Sequence, residues 1–182
     1  MNKTTKIGIV AAMMVLVLSI SAYAMGPGRA APSPTIVDTA LAVNAETGEF
    51  SILIAALTAA DESIIKSLSS RGQYTVFAPT DAAFVAMLED LELEAAEVLS
   101  NQELLNTVLT YHVARGNRDA ADVTSSTQIR TLQGSFVGVD GAVLTDELGR
   151  EANIVAVDIF ASNGVIHVID AVILPDEAVA LI

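Results

Sequence analysis

The sequence predicts an α+β fold, with helices mainly in the N-terminal half and strands mainly in the C-terminal half. Three observations support this prediction. Apolar residues recur at helical spacing between Thr35 and Thr110. Beyond Asp122 the chain changes to short β-branched segments separated by glycine turns. The clearest of these segments, residues 163–175, starts with an Asn-Gly turn and ends at Pro175, which cannot continue a strand.

Several helices and one strand are predicted before Asp122. Tyr74–Ala78 is a short strand that Pro79 terminates, and Thr80 or Asp81 can cap the helix that follows it. Each helix has apolar residues three or four positions apart, as expected for a helix with one buried face. The predicted helices cover residues 36–41, 50–57, 64–68, 81–88 and 102–110.

The predicted strands follow Asp122. In the last of them, alternation places Val165, His167 and Ile169 on one face and Ile166 and Val168 on the other. Neither face is polar enough to be wholly exposed, so the strand should be buried. The predicted strands are Gln128–Leu132, Phe136–Val139, Ala142–Thr145, Asn153–Ala161 and Gly164–Ile173.

Residues 1–24 have the pattern of a secretory signal peptide. Two lysines precede a short apolar stretch, and the segment ends in Ala22-Tyr23-Ala24, a small-x-small cleavage pattern. Exported protein should therefore begin at Met25. The apolar stretch is short for a bilayer span, so no integral membrane span is expected after cleavage.

The rest of the chain is predicted to hold one domain. Residues 25–34 are rich in proline and small residues, which is typical of a flexible linker. Residues 35–175 form the domain, and residues 176–182 form a C-terminal tail. The sequence shows no internal repeat, so a single copy of the domain is expected. The oligomeric state stays open.

Composition narrows the possible functions. The sequence contains no cysteine, which excludes disulfides and a lipid anchor on an N-terminal cysteine. Residues 25–182 keep all 22 acidic residues and seven of the nine basic ones, so removal of Lys3 and Lys6 changes the net charge from −13 to −15. With one lysine and scattered arginines, a nucleic acid partner is not expected. Strong negative charge favours solubility outside the cell.

Three sequence boxes resemble those of the fasciclin-like domain family. Residues 74–84, Tyr-Thr-Val-Phe-Ala-Pro-Thr-Asp-Ala-Ala-Phe, resemble the first box, and Tyr111-His112-Val113 resembles the tyrosine-histidine signature. Residues 163–170, Asn-Gly-Val-Ile-His-Val-Ile-Asp, resemble the second box. The order matches the family, which implies helices packed on a mixed β-sheet or wedge.

The resemblance implies a secreted, non-enzymatic binding module for cell-surface or matrix adhesion, extracellular or periplasmic, with a protein or glycan partner. In animal members, surfaces around the tyrosine-histidine signature and around a Glu-Pro-Asp-Ile-Met element have been linked to integrin recognition. Tyr111 and His112 match the first, whereas residues 156–160 keep only Asp158 and Ile159 of the second. These four residues are the candidate partner-binding residues.

Other interpretations of the same residues stay open. Asp158 and Ile159 can equally belong to a strand in which Val155, Val157 and Ile159 face the core. An extracytoplasmic small-ligand carrier or signalling module would need an apolar pocket. A Ser-His-Asp hydrolase would use His112 or His167, but no Gly-x-Ser-x-Gly elbow is present and both histidines are expected to be structural. His112 is expected to bond to Asp81.

No cofactor or metal is expected. Two histidines without cysteine make a weak zinc set. The acidic residues between Glu89 and Glu97 lack the ligand spacing and central glycine of a calcium loop, and a solvated helix or turn is favoured. If the protein adheres to cells, either a less charged patch that includes Tyr111 and Ile159 makes the contact, or divalent cations bridge it.

Overall fold

The computed structural model describes residues 33–182, and the predicted secretory signal peptide and most of the predicted linker lie outside this part. Eight helices and seven strands form within it. The helices are α1 (Ile36–Thr47), α2 (Ser51–Ala59), α3 (Glu62–Leu68), α4 (Asp81–Asp90), α5 (Ala95–Ser100), α6 (Gln102–Tyr111), α7 (Ala120–Ser125) and α8 (Asp176–Val179). The strands are β1 (Tyr74–Pro79), β2 (Val113–Arg115), β3 (Gln128–Arg130), β4 (Phe136–Asp140), β5 (Val143–Thr145), β6 (Glu151–Ala161) and β7 (Gly164–Ile169).

The seven strands form one mixed sheet in the order β2-β1-β7-β6-β5-β4-β3. β1 and β7 are parallel, and the other pairs are antiparallel. A single bridge between Ala114 and Thr131 joins the two edge strands, β2 and β3. The sheet therefore curls until its edges meet, which leaves an inner and an outer face.

Two apolar clusters pack against these faces. The first lies between the helices and the outer face of β1 and β7, and it includes Phe50, Leu105 and Ile166. The second fills the inside of the curled sheet, and it includes Phe77 and Leu144. Alternation along β7 sends successive side chains to different clusters, which explains why all six residues of this strand are buried.

The α+β prediction is confirmed, and the short elements are where the sequence prediction was incomplete. Thr80 caps α4 by accepting a hydrogen bond from the Ala83 N–H at 3.2 Å, as predicted. The helices α5, α7 and α8 and the strand β2 were not predicted. β7 ends at Ile169, four residues earlier than expected, because the Asp170 side chain turns to bond Asn153 of β6.

The predicted C-terminal tail, residues 176–182, is part of the folded unit. It contains α8, whose Ala178 is fully buried in the helical cluster. The Asn101 side-chain amide donates to the Leu181 carbonyl at 3.0 Å. Among residues 33–182, no helix is both long enough and apolar enough to cross a membrane.

Candidate functional site

Tyr111 and His112, the first pair of candidate residues, lie inside the molecule. The exposed fraction is 0% for Tyr111 and 3% for His112. The Tyr111 hydroxyl donates to the Phe136 carbonyl at 3.0 Å, and burial raises the pKa of this phenol. These side chains are therefore not available for direct contact with a partner, and the expectation that they form a binding surface is corrected.

His112 links two segments of the fold through its ring. Its Nδ1 lies 2.8 Å from the Val108 carbonyl in α6, and its Nε2 accepts a hydrogen bond from the Ile173 N–H at 3.2 Å. Because the backbone N–H is a donor, the ring must be neutral with its proton on Nδ1. Burial lowers the pKa of His112 to about 4.

The expected bond between His112 and Asp81 does not form. The Asp81 carboxylate accepts from the backbone N–H groups of Ser51 at 3.2 Å and Ile52 at 2.8 Å. These are orphan donors at the start of α2, where a negative charge is favourable. Asp81 therefore fixes α2 to α4, and His112 fixes α6 to the segment after β7.

His167 is a structural residue, as predicted. Its Nε2 lies 2.9 Å from the Arg118 carbonyl, and its Nδ1 accepts from the Asp158 N–H at 3.3 Å. The ring stacks on Phe77 with the centroids 5.9 Å apart. In both histidines the basic nitrogen already accepts a backbone hydrogen bond, so neither can take a proton from a serine in this arrangement.

Asp158 occupies a β-bulge in the middle of β6. The register with β7 shifts between Ala156 and Ile159, and Asp158 has a left-handed φ of 59°. Its carboxylate accepts from the Ala120 N–H at 2.8 Å, at the first residue of α7. Asp158 thus holds the start of α7 against the sheet. Ile159 is half-buried and packs on the helical cluster, which favours the core interpretation for this side chain.

Replacing Asp158 with alanine should cost about 1–2 kcal/mol of unfolding free energy. Alanine lacks the acceptor for the Ala120 N–H, and it adopts a positive φ less readily than aspartate. Asp158→Asn is the matched control, because asparagine keeps an acceptor oxygen and is tolerated at left-handed φ. Urea denaturation of both variants measures the difference, and equal midpoints for Asp158→Ala and wild type would disprove this structural role.

Exposed apolar side chains flank the bulge. The interpretation that places Val157 in the core is wrong, and Phe160 was not singled out from the sequence. The exposed fraction is 62% for Phe160 and 40% for Val157. Simple alternation cannot place them, because the bulge changes which face each residue of β6 occupies. The one feature of the sequence that could have pointed to this surface is Phe160, an aromatic residue directly after Asp158-Ile159. We call Val157, Asp158 and Phe160 the bulge surface.

Two cavities in the described part of the chain are small and apolar. One, of about 20 Å³, lies between α4 and α6, and the other, of about 30 Å³, lies between α1, α2 and the sheet. Ligand pockets are usually at least ten times larger, about 300–1,000 Å³. Among residues 33–182, no three histidine, aspartate or glutamate side chains are grouped so that they could hold a metal ion.

The sequence was compared with protein families and with known proteins. The fasciclin domain model matches residues 48–175. The protein sll1483 of Synechocystis sp. is 41% identical over 140 residues, which cover 75% of this chain and 73% of that protein. Immunogenic protein MPB70 of Mycobacterium bovis is 38% identical over 112 residues, covering 62% and 54%. Cell surface glycolipoprotein MPB83 of the same species is 34% identical over 119 residues, covering 63% and 49%.

A solved structure has the same fold. It is a FAS1 domain pair from the insect cell adhesion molecule Fasciclin I, with a TM-score of 0.56 and 18% sequence identity. The match covers 70% of this chain and 46% of that one. At this identity, the likeness supports the arrangement of helices and strands alone.

Proposed function

Because the chain belongs to the fasciclin domain family, we propose that it is a secreted, non-enzymatic binding module that mediates adhesion at a cell surface or matrix through protein or glycan contacts. The names of its relatives support this proposal. One is a cell surface glycolipoprotein of Mycobacterium bovis, and the insect protein of similar fold is a cell adhesion molecule.

The observation that carries the proposal is the bulge surface. Phe160 is 62% exposed, the highest value among the exposed large apolar residues in the described part of the chain, although burial of an aromatic ring is favourable. The ring is held on β6, next to a bulge that Asp158 fixes through α7. A rigid aromatic side chain supplies contact area with little loss of entropy on binding.

The four residues predicted from the sequence take different parts in this proposal. Asp158 is within the bulge surface, and Ile159 anchors the same strand in the core. Tyr111 and His112 contribute from inside, since they hold α6 against β4 and the segment after β7. The partner therefore contacts Phe160 and Val157 first.

The small-ligand carrier is the weaker alternative. The cavities of about 20 and 30 Å³ in residues 33–182 hold no more than a water-sized molecule. A carrier would have to open one of them by moving a helix. Adhesion needs only the surface that is already exposed.

Replacing Phe160 with serine should reduce the retention of the protein on intact cells or purified envelope glycans about 30-fold, the effect of losing a central contact worth about 2 kcal/mol. Leu41→Ser is the matched control, because Leu41 is also an exposed apolar residue, 47% accessible, but lies on α1. Unfolding midpoints of both variants should stay close to wild type. Equal retention of the Phe160 and Leu41 variants would contradict the role of the bulge surface.

Salt and chelator separate an apolar contact from cation bridging. Monovalent salt screens the repulsion between an acidic protein and an anionic envelope, so an apolar contact should hold or strengthen as salt rises. Cation bridging should fail when a chelator is added. If the wild-type protein is not retained under any condition, the adhesion proposal is wrong and the carrier alternative gains support.

A further inference from the structure

Closure of the sheet brings two arginines together that are far apart in the sequence. The bridge between Ala114 and Thr131 joins β2 to β3 in antiparallel orientation. Arg115 and Arg130 are each one residue from this bridge, so they lie across from each other. Ala114 and Ile129 point to the inner cluster, which places both arginines on the outer face, and both are exposed.

An exposed aromatic ring continues the same row. Arg130 pairs with Phe136 of β4, and directly paired residues point to the same face. Phe136 is 47% exposed, while its neighbour Val137 is fully buried on the inner face. We call Arg115, Arg130 and Phe136 the arginine row.

The positive charge of the arginine row is not neutralised within residues 33–182. The two salt bridges in this part of the chain join Lys66 to Glu62 and Arg150 to Asp146. Neither Arg115 nor Arg130 takes part in either of them.

The residues paired along the row are also uncharged. Tyr74 pairs with Arg115. The next pair on the same face of β3 and β4, two residues from Arg130 and Phe136, is Gln128 with Gly138. Like charges directly opposite each other in a sheet are destabilising. A chain with 22 acidic residues could have placed a carboxylate beside either arginine. Both guanidinium groups are therefore available to an anion that binds from outside.

Arg130 is already partly ordered for such a contact. Its Nε donates to the Gly134 carbonyl at 3.1 Å, in the turn between β3 and β4. This bond directs the guanidinium while its terminal nitrogens make no hydrogen bond within the described residues. A planar guanidinium binds carboxylate and sulfate groups through two parallel hydrogen bonds.

We propose that the arginine row binds an anionic polysaccharide, one that carries uronate or sulfate groups. The guanidinium groups bind the charged substituents, and the Phe136 ring packs against the apolar face of a sugar. An acidic protein segment would supply carboxylates but no sugar face for the Phe136 ring, and the polyglutamate arm of the experiment tests it as the other occupant. The net charge of −15 expected after cleavage repels any polyanion at low salt, so the local positive charge of the arginine row is what holds the ligand.

This proposal goes beyond the bulge surface, since the two surfaces use different residues and different forces. The arginine row lies on β2, β3 and β4, whereas Phe160 and Val157 lie on β6. The apolar contact at the bulge surface should hold as salt rises. Binding through the arginine row should weaken, because salt screens the contacts that carry it.

The experiment measures retention of the purified protein on dextran sulfate and alginate beads, with neutral dextran beads as the blank. The measurements are made at about 0.1 M salt, where the Debye length is about 10 Å, so that carboxylates far from the arginine row repel the polysaccharide less. Arg115→Gln and Arg130→Gln should each reduce retention about tenfold, as expected for one lost hydrogen-bonded charge. Lys66→Gln, which makes the same charge change on α3, should leave it within about twofold.

Two further variants test the chemistry. Arg115→Lys keeps the charge but loses the paired hydrogen bonds, so its retention should fall between that of wild type and Arg115→Gln. Phe136→Ala should weaken binding to both polysaccharides but not to polyglutamate, which has carboxylates without sugar rings. The backbone carbonyl of Phe136 still accepts from Tyr111 in this variant, so the fold should be kept.

Specific results would overturn the proposal. Equal loss in Lys66→Gln and the arginine variants would mean that net charge alone controls retention. Equal retention of Arg115→Gln and wild type would exclude the row as a binding surface. Polyglutamate binding as tight as alginate binding, with no effect of Phe136→Ala, would point to an acidic protein segment instead. Leu41→Ser, on α1 and outside both proposed surfaces, should leave dextran sulfate retention unchanged. The arginine variants are scored on dextran sulfate and Phe160→Ser on cells, so failure of one proposal is distinguishable from failure of the other.

Discussion

Gly164→Ala should destabilise the protein by about 4 kcal/mol, one of the largest effects expected for a single substitution. Gly164 is the first residue of β7, pairs with Tyr74 of β1 and Ala161 of β6, and has a φ of 157°. A methyl group there would overlap the Tyr74 carbonyl and lie 2.7 Å from the Ile36 Cδ1. Backbone strain and overpacking each cost about 1–3 kcal/mol.

The surroundings of Gly164 leave little freedom to relieve this overlap. The preceding residue, Asn163, is buried and accepts from the Ile36 N–H at 2.8 Å. Its amide donates to the carbonyls of Leu68 at 2.6 Å and Ser70 at 2.8 Å. The Asn-Gly turn therefore holds α1 and α3 to the central strands, and a shift of Gly164 would disturb all of these contacts.

Gly48→Ala is the control for backbone conformation alone. Gly48 ends α1 with a left-handed φ of 72°, and an added methyl group would meet no atom within 4 Å. This variant should lose only about 1 kcal/mol. Urea denaturation with a common slope gives both values. If the two variants unfold at similar midpoints, close packing at Gly164 does not limit stability.

The same turn shows why part of the fold was predictable from the sequence. Asn163-Gly164 and the β-branched residues after it carry both a local turn signal and a pattern for burial, and the strand forms where predicted. The long helices α1, α2, α4 and α6 have local caps or apolar spacing. β2 has three residues and α8 has four, too few for any periodicity. These elements exist because tertiary contacts stabilise them.

The surfaces proposed for binding were less predictable, because non-local pairing creates them. Phe160 is exposed because a bulge shifts the register of β6 on β7, and no local residue pattern specifies that shift. Arg115 and Arg130 appear scattered in the sequence, and they meet only when the edges of the sheet close. Conversely, Tyr111 and His112 were candidate partner-binding residues, although the end of α6 directs both into the interior.

Lowering the pH from about 6.5 to about 4 should reduce the free energy of unfolding through His112. Burial lowers the pKa of the folded ring to about 4, whereas an ordinary histidine titrates near 6.5. Asp146 opposes this shift and Arg150 reinforces it, but burial has the largest effect. The contribution of His112 is fully present above the unfolded pKa of about 6.5, where the ring is neutral in both states.

Below this value the unfolded chain binds a proton that the folded chain excludes. The free energy of unfolding should therefore fall by about 1.4 kcal/mol for each pH unit. The total loss from His112 is about 3 kcal/mol when the pH reaches about 4, and this group adds nothing further below that. Protonation of Nε2 also removes the acceptor for the Ile173 N–H, which is the structural reason that the charged form does not fit.

His112→Gln isolates this effect, because glutamine offers a donor and an acceptor but does not titrate. We expect the variant to be less stable than wild type at neutral pH and to depend less on pH between about 4 and 6.5. Other titrating groups contribute equally to both proteins, so the difference between the two pH profiles gives the part due to His112. His112→Ala should lose about 1–3 kcal/mol at neutral pH, because the Ile173 N–H is left unpaired. Parallel profiles for wild type and His112→Gln would show that this ring is protonated as easily in the folded as in the unfolded chain.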